Sequence, residues 1–269
     1  MGMLFNRLLI ILNEEAQDST YYHIALVMLN YMEELDDLSI NKLAELCAVS
    51  KSTISKFIRF LGYEDFADFR YAAVFQDNKY GYSFSYVNDV MNYIKNNSMD
   101  SLILTVQQDI AATYMNLDWD AVDRLVRDIA HYKKVAAFGL LFSETAALDL
   151  QIKLAYNKKF IVTNLNDQKQ DSYIETAGED TLIIVFSDSG EFLSKYRNIA
   201  DFAYKQAFMK TKARVALITS NPDAVSHPCV SYCLLYQKTR ELHTHRIVYG
   251  ILTDIIAYKY REYVGKQKN

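Results

Sequence analysis

The feature of this sequence that most restricts its fold is a change of periodicity near residue 133. From there on, short apolar runs rich in β-branched residues alternate with helical patterns at about 143–157, 190–210 and 240–263. The runs that predict strands are 133–139, 158–164, 180–187, 213–219 and 231–237. Strands that alternate with helices indicate βαβ units and a parallel sheet. We therefore expect an α/β doubly wound domain, whose ligand lies at the carboxyl ends of the strands.

The first 75 residues have a different pattern, with apolar residues at every third or fourth position. Ser39 and Ser50 each stand directly before such a run, where a helix N-cap is expected, and Gly62 follows a run as a C-terminal stop. The 269 residues include only 8 Gly and 2 Pro, which favours long helices over many turns. This region is predicted to be all-α.

Two of the predicted helices, at 39–47 and 50–61, are joined by a very short turn. Ala44 is small where two crossing helices must approach closely, and Val49 is apolar in the turn between them. Two helices joined in this way are typical of a helix-turn-helix, whose second helix enters the major groove of DNA. The alternative is a small helical bundle whose polar face is only solvated.

The local charge favours DNA binding over that alternative. The chain has a formal net charge of −4, so it has no overall positive field for nucleic acid. Between Leu38 and Gly62, however, four basic residues and one acidic residue give a local balance of +3. Lysine and arginine neutralise phosphates, and short hydroxyl side chains hydrogen-bond bases or phosphates. The candidate DNA-contacting residues are Lys42, Ser50, Lys51, Ser52, Thr53, Ser55, Lys56 and Arg59.

Residues 38–70 also resemble the helix-turn-helix of the RpiR/MurR-type transcription regulators. The residues that match the family's pattern are Ser39, Ile40, Leu43, Ala44, Val49, Ser50, Thr53, Ile54, Lys56, Phe57, Arg59, Leu61, Gly62, Tyr63, Phe66 and Phe69. The resemblance implies an operator in double-stranded DNA as a partner and a homodimer or homotetramer. It also implies a C-terminal SIS domain, which recognises a phosphosugar or a related effector through loops after its first and third strands.

The loop after the third predicted strand resembles the phosphate loop of that family, S-x-S-G-E-T. It reads Ser187-Asp188-Ser189-Gly190-Glu191. Its hydroxyls, and the N–H groups around its glycine, are expected to converge at the start of a helix, which suits a phosphate group. From the resemblance, the candidate ligand-binding residues are Ser143, Ser187, Ser189, Gly190, Glu191 and His243.

Departures from the family's loops leave the effector open. Phe192 stands where the family usually has Thr. The loop at 139–143 reads GLLFS where the family has G-x-G-x-S or G-I-G-S-S, so Leu141 replaces a glycine and Phe142 replaces a serine. Ser143 remains as an expected helix N-cap and phosphate contact. Three alternatives arise: a phosphosugar bound with fewer contacts, a more apolar ligand, or a domain that only dimerises.

SIS domains also occur in sugar-phosphate isomerases, so an isomerase-type enzyme with an appended helical domain is the alternative function. Glu191 is the nearest candidate for an acid or base, but a carboxylate at a helix start is also favoured by the helix dipole. The sequence has no Ser/His/Asp grouping, P-loop or dinucleotide fingerprint. We predict a regulator with no catalytic residues and no cofactor. Cys229 and Cys233 do not pair by spacing with the histidines, which argues against a metal site.

The three cysteines lack the spacing of a disulfide framework, which favours a reducing cytoplasm. No stretch reaches the roughly 18 apolar residues that span a bilayer, and the N-terminal residues make a poor signal peptide. We expect no membrane partner. The predicted domains are a helix-turn-helix at 1–75, a linker at 76–105 and a SIS-type α/β domain at 106–269.

Overall fold

The structure is a computed structural model that describes residues 3–32, 34–74, 85–198, 201–238, 242 and 244–267. Its internal contacts divide the chain into two units. The first comprises Met1–Asn88 and Asn166–Gln168, and the second comprises Asp89–Leu165 and Lys169–Asn269. The division after residue 88 lies within the predicted linker at 76–105, and the domain limits given above stay predictions.

The N-terminal unit is helical, as the sequence predicts. Its helices are α1 (Met3–Glu14), α2 (Thr20–Asn30), α3 (Ile40–Leu46), α4 (Lys51–Phe60) and α5 (Phe66–Val74). The hydroxyl oxygens of Ser19, Ser39 and Ser50 accept the N–H groups of the residues three positions on, so each serine is the N-cap of a helix. Apolar residues from all five helices, such as Leu8 and Met28, form one buried core.

The turn between α3 and α4 is a Schellman motif. The N–H of Val49 donates to the carbonyl of Ala44 and the N–H of Ala48 donates to the carbonyl of Glu45, both at 3.0 Å. Ala48 has a φ of +50°, in the left-handed region that glycine prefers. Gly62, with a φ of +88°, ends α4 in the same way. Both predicted helix ends are therefore confirmed, but the left-handed residue after α3 is Ala48 and not a glycine.

Replacing Ala48 with glycine is expected to stabilise the N-terminal unit by roughly 0.5–1 kcal/mol. The left-handed conformation costs a residue with a Cβ about 1–2 kcal/mol, while the extra freedom of glycine in the unfolded chain costs about 0.5–1 kcal/mol. Urea unfolding followed by circular dichroism measures the difference. A variant less stable than the parent would show that the turn is not strained at this residue.

Beyond residue 85 the chain alternates helices with strands. The helices are α6 (Ser85–Asn96), α7 (Met99–Met115), α8 (Trp119–His131), α9 (Phe142–Tyr156), α10 (Asp167–Thr176), α11 (Gln206–Lys210) and α12 (His245–Lys266). The strands are β1 (Lys134–Phe138), β2 (Thr181–Phe186), β3 (Ser194–Asn198), β4 (Asp201–Tyr204), β5 (Arg214–Thr219) and β6 (Tyr232–Leu235). A parallel sheet has the order β1-β2-β5-β6, and β3 and β4 form a separate antiparallel pair.

Alternate residues of the parallel strands enter two different cores. Ile184 and Ala216 pack in a core that includes residues of α8, α9 and α12. Ile183 and Val215 point the other way and pack with residues of α10 and α11. All six residues of β2 are buried, as expected for a central strand covered on both faces. The predicted α/β fold with a doubly wound parallel sheet is thus confirmed.

The helix predicted at 190–210 is wrong. The chain forms a three-residue 3₁₀ helix at Glu191–Leu193, then β3 and β4, and only α11 is α-helical. Phe192 and Phe208 explain this, because their ring centroids lie 5.9 Å apart. An unbroken helix rises about 1.5 Å per residue and would separate these two residues by about 24 Å. The chain must turn back between them, and the hairpin does so.

The strand predicted at 158–164 is also wrong, apart from one bridge between Ala136 and Val162. The N–H groups of Lys158 and Lys159 donate to carbonyls of α9 and close its end. The carbonyl of Ile161 accepts the side-chain amide of Gln151 at 2.8 Å. These backbone groups are therefore not available for a longer ladder. In the described part of the chain, no helix combines the length and apolar character that crossing a membrane requires.

Candidate functional site

The outer surface of α4 carries most of the predicted DNA-contacting residues. Ile54, Phe57 and Ile58 are completely buried on its inner face. The predicted residues on the outer face are Lys51, Ser52, Lys56 and Arg59, which are exposed, and Thr53 and Ser55, which are half-buried. The helix thus separates apolar and basic residues, and its first turn faces solvent as major-groove contact requires.

Ser50 has its predicted role as a helix N-cap, and Lys42 forms an ion pair that the sequence did not specify. The hydroxyl of Ser50 accepts the N–H of Thr53 at 3.1 Å and lies 2.9 Å from the Thr53 hydroxyl, so it holds the start of α4. Lys42 lies on α3, with its Nζ 3.1 Å from Glu45 Oε2. Both side chains of this ion pair are exposed, and such a pair contributes at most about 1 kcal/mol. A phosphate can therefore replace the glutamate as partner of Lys42.

The second candidate site lies at the carboxyl ends of the parallel strands. After β2, the hydroxyl of Ser187 accepts the N–H of Phe192 at 3.2 Å, and that of Ser189 accepts the N–H of Glu191 at 3.3 Å. Gly190 has a φ of +82°, and a Cβ there would lie 2.9 Å from the Cβ of Ala224. The turn therefore requires a residue without a side chain at this position.

The open phosphate cradle expected at this turn is not present in the described loop. The N–H groups of Glu191 and Phe192 already donate to the two serines of their own loop. The helix that begins there has only three residues, so it supplies little dipole for an anion. Ser187, Ser189, Gly190 and Glu191 are brought together, but as a self-bonded turn.

The loop after β1 also differs from its prediction. Leu141, with φ 52° and ψ −113°, is the N-cap of α9, and Ser143 is the second residue of that helix. The predicted N-cap role of Ser143 is therefore wrong. The helix starts early because Gly139 has no Cβ, so the first turn of α9 can lie close to it. A Cβ added at Gly139 would lie 2.7–2.8 Å from atoms of Ser143. Burial raises the pKa of Tyr249, and hydrogen bonds from Tyr236 and Ser143 offset part of that rise.

Replacing Gly139 with alanine is expected to destabilise the α/β unit by about 1–3 kcal/mol, because the new Cβ overlaps backbone atoms of Ser143. Gly250→Ala is the matched control. It lies within α12 with nothing within 4 Å of an added Cβ, so it should stabilise by roughly 0.5–1 kcal/mol. Calorimetric unfolding of both variants measures these changes. Equal effects of the two substitutions would contradict the close approach at Gly139.

A polar cluster that the sequence did not reveal lies at the same edge of the sheet. The carboxylate of Asp188 accepts the hydroxyl of Ser220 at 2.7 Å and the hydroxyl of Tyr236, and it pairs with the ammonium of Lys238. Burial raises the pKa of Tyr236 well above its ordinary value, and Tyr249 and Asp188 raise it further. The segments after β2, β5 and β6 thus bring together the Asp188 carboxylate and three polar side chains that bind it.

The sequence carries only a partial signal for this cluster. Ser220 follows β5 directly, and Lys238 lies three residues after β6. Polar residues just after parallel strands meet at one edge of a sheet. The signal needs the strand order, however, because β2, β5 and β6 are neighbours only in space.

The segment after β6 is also held by α7. The hydroxyl of Thr113 donates to the carbonyl of Gln237, and the hydroxyl of Thr244 donates to the buried carboxylate of Asp109. The predicted ligand residue His243 is outside the described residues. Within the described ranges, no group of three or more His, Cys, Asp or Glu residues is arranged to hold a metal ion.

Known proteins similar to this chain include transcription regulators. The family model for the helix-turn-helix domain of the rpiR family matches residues 9–77. An uncharacterized HTH-type transcriptional regulator in the aarA 3′ region of Providencia stuartii is 22% identical over 176 residues. That match covers 64% of this chain and 61% of the relative's length.

Solved structures also resemble the chain. The Vibrio vulnificus NanR protein complexed with ManNAc-6P matches with a TM-score of 0.53 and 15% identity, over 98% of this chain and 94% of that one. The sugar isomerase domain of an RpiR transcription factor from Sphaerobacter thermophilus matches with a TM-score of 0.45 and 16% identity, over 60% and 90%. At 15% identity, the likeness to NanR shows the fold. Residues 9–77 are therefore a helix-turn-helix domain of the RpiR family, and they are followed in this chain by an α/β unit that shares its fold with NanR.

Proposed function

We propose that this protein is a transcriptional regulator that binds double-stranded operator DNA through α4. The observation that carries the proposal is the outer surface of that helix, where Lys51, Lys56 and Arg59 are exposed in a chain that is otherwise acidic. The first turn reads bases and phosphates through Lys51, Ser52, Thr53 and Ser55, while Ser50 caps it. Lys42 adds a phosphate contact from α3.

The α/β domain is proposed to sense a sugar phosphate or a related metabolite in the cytoplasm. ManNAc-6P is bound by NanR, which shares the fold. The proposed contacts are Ser143, Ser187, Ser189, Gly190, Glu191 and His243, at the edge where parallel sheets bind ligands. The regulator is proposed to have no enzymatic activity, because a ligand domain joined to a DNA-binding domain acts as a sensor.

A homodimer or homotetramer is proposed because α9 exposes a row of large apolar side chains. Leu148, Ile152 and Tyr156 follow one another at four-residue spacing and are 40%, 49% and 83% exposed. A dimer places two recognition helices about one DNA turn apart on a pseudo-palindromic operator. The same apolar row supports the alternative in which the α/β domain only dimerises.

Two measurements on the full chain test this function. Genomic fragments retained by the protein in the presence of excess nonspecific DNA should share a pseudo-palindromic sequence. Thermal unfolding against a panel of phosphosugars should show a rise in Tm for at least one compound, and Ser187→Ala with Ser189→Ala should abolish it. Retention without shared sequence would contradict operator binding.

The alternative of a ligand-free dimerisation domain is favoured by the loop after β2. Both of its serine hydroxyls already accept N–H groups of the same loop. An unchanged Tm across the whole panel, with operator binding intact, is the result expected from that alternative and contradicts effector sensing.

A further inference from the structure

The Asp188 carboxylate, after β2, occupies the place in the α/β domain where three donors from the ends of β5 and β6 converge. Its side chain is 17% exposed and that of Lys238 is 13% exposed. Ser220, Tyr236 and Lys238 all direct their polar hydrogens at it. Hydroxyls and an ammonium group around one oxygen-bearing anion are the same kind of donors that hold a phosphate group.

This arrangement is costly to open. A carboxylate and an ammonium group taken largely out of water are stabilised by each other, and separating them leaves two charges without a partner. An incoming anion that uses Lys238 must therefore take the ammonium from Asp188. It must also approach a negative charge that is already there.

We propose that Asp188 is an internal anion that occupies the anion site of this domain, so that an anionic effector binds only by displacing it from Lys238. The inference rests on the proposed function only in placing the effector at this edge of the sheet. Asp188 then sets the effector concentration needed to fill the site, because its carboxylate competes with the effector for the same donors. Removing its charge frees these donors without removing them.

Isothermal titration calorimetry with glucose 6-phosphate and with inorganic phosphate tests this proposal on the full chain. Asp188→Asn keeps the shape of the side chain and its capacity to accept hydroxyls, but removes its charge. We expect this variant to bind both probes at least about tenfold more tightly than the parent chain. Adding Lys238→Met to it should abolish the gain, because the freed cation is then lost.

Asp128→Asn is a matched control at the other end of the sheet. Asp128 is 19% exposed, pairs with Arg214 Nε at 2.8 Å and accepts the hydroxyl of Tyr232 at 2.8 Å. It thus repeats the surroundings of Asp188 where no ligand is proposed. This variant should bind both probes within about twofold of the parent chain, and a gain equal to that of Asp188→Asn would overturn the proposal.

The outcomes separate this proposal from the proposed function. If Asp188→Asn binds the probes and the parent chain does not, Asp188 is the internal anion although the natural protein senses no phosphosugar. If the parent chain binds glucose 6-phosphate and the variant binds it equally or more weakly, sensing stands and the proposal fails. If the Asp188→Asn variant does not fold, Asp188→Ser is titrated instead. A folded Asp188→Ser variant with no gain in affinity for the probes also overturns the proposal.

Discussion

Replacing Lys51 and Arg59 together with alanine is expected to lower affinity for the retained operator roughly 30- to 1,000-fold. Each residue is exposed on the outer face of α4, and its loss removes one contact to a phosphate or a base. Two such contacts are together worth about 2–4 kcal/mol. The loss of two cations should also reduce the slope of log affinity against log salt concentration by about 2.

Fluorescence anisotropy with a labelled operator, at several salt concentrations, measures both effects. The double change Lys133→Ala and Lys212→Ala is the charge-matched control, since both lysines belong to the α/β unit and not to the unit that contains α4. It should change affinity less than about threefold and leave the salt slope almost unchanged. Equal losses in the two double variants would show that only the overall charge matters, and α4 would then not be the recognition helix.

The variant that lacks Lys51 and Arg59 also distinguishes a regulator from the alternative, an isomerase-type enzyme with an appended helical domain. A regulator loses its DNA while any rise in Tm with a phosphosugar remains, since the two substitutions lie outside the α/β unit. An enzyme would convert a phosphosugar equally well with and without Lys51 and Arg59. Turnover of a phosphosugar by both the parent chain and this variant would therefore contradict the proposal that the protein has no enzymatic activity.

Phe57→Ala is expected to remove most of the stability of the N-terminal unit. The Phe57 side chain is completely buried, and its ring meets that of Tyr21 edge to face with centroids 5.1 Å apart. Truncating a buried phenylalanine costs about 3–5 kcal/mol. A unit of this size has a total stability of only about 4–10 kcal/mol. Its Tm should fall by at least about 12 °C, with loss of operator binding.

Phe60→Ala is the matched control on the same helix. Phe60 also touches Tyr21, with ring centroids 4.9 Å apart, but it is 50% exposed. Its truncation leaves no enclosed cavity and should cost less than about 1 kcal/mol. Differential scanning calorimetry of the full chain measures both variants. Similar decreases in Tm would mean that burial does not distinguish the two phenylalanines and that the described core is incorrect.

The helix-turn-helix was predictable because its signals are local. Ser39 and Ser50 mark helix starts through hydrogen bonds to residues three positions away, and Gly62 marks an end through its own backbone conformation. These interactions join residues that are close in sequence, so periodicity and capping rules predict them. The parallel sheet was predictable for a related reason, because its buried strands are continuous apolar runs.

The ligand edge was only partly predictable because its contacts are long-range. The hairpin after Leu193 depends on the packing of Phe192 against Phe208, which helical periodicity does not show. The early start of α9 depends on how closely Gly139 and Ser143 approach. A motif match locates Ser187 and Ser189 after a strand. It does not reveal that their hydroxyls already accept N–H groups of the loop, or that the segment after β6 brings Lys238 to that loop.

The two hydrogen bonds that hold the segment after β6 to α7 have a dynamic consequence. Thr113 and Asp109 lie about one turn apart on α7, so opening that part of the helix releases Gln237 and Thr244 together. The two elements should therefore exchange their amide hydrogens as one cooperative unit. An effector bound beside Lys238 should slow exchange in α7 as well, and hydrogen–deuterium exchange would register that effect in a helix that touches no ligand.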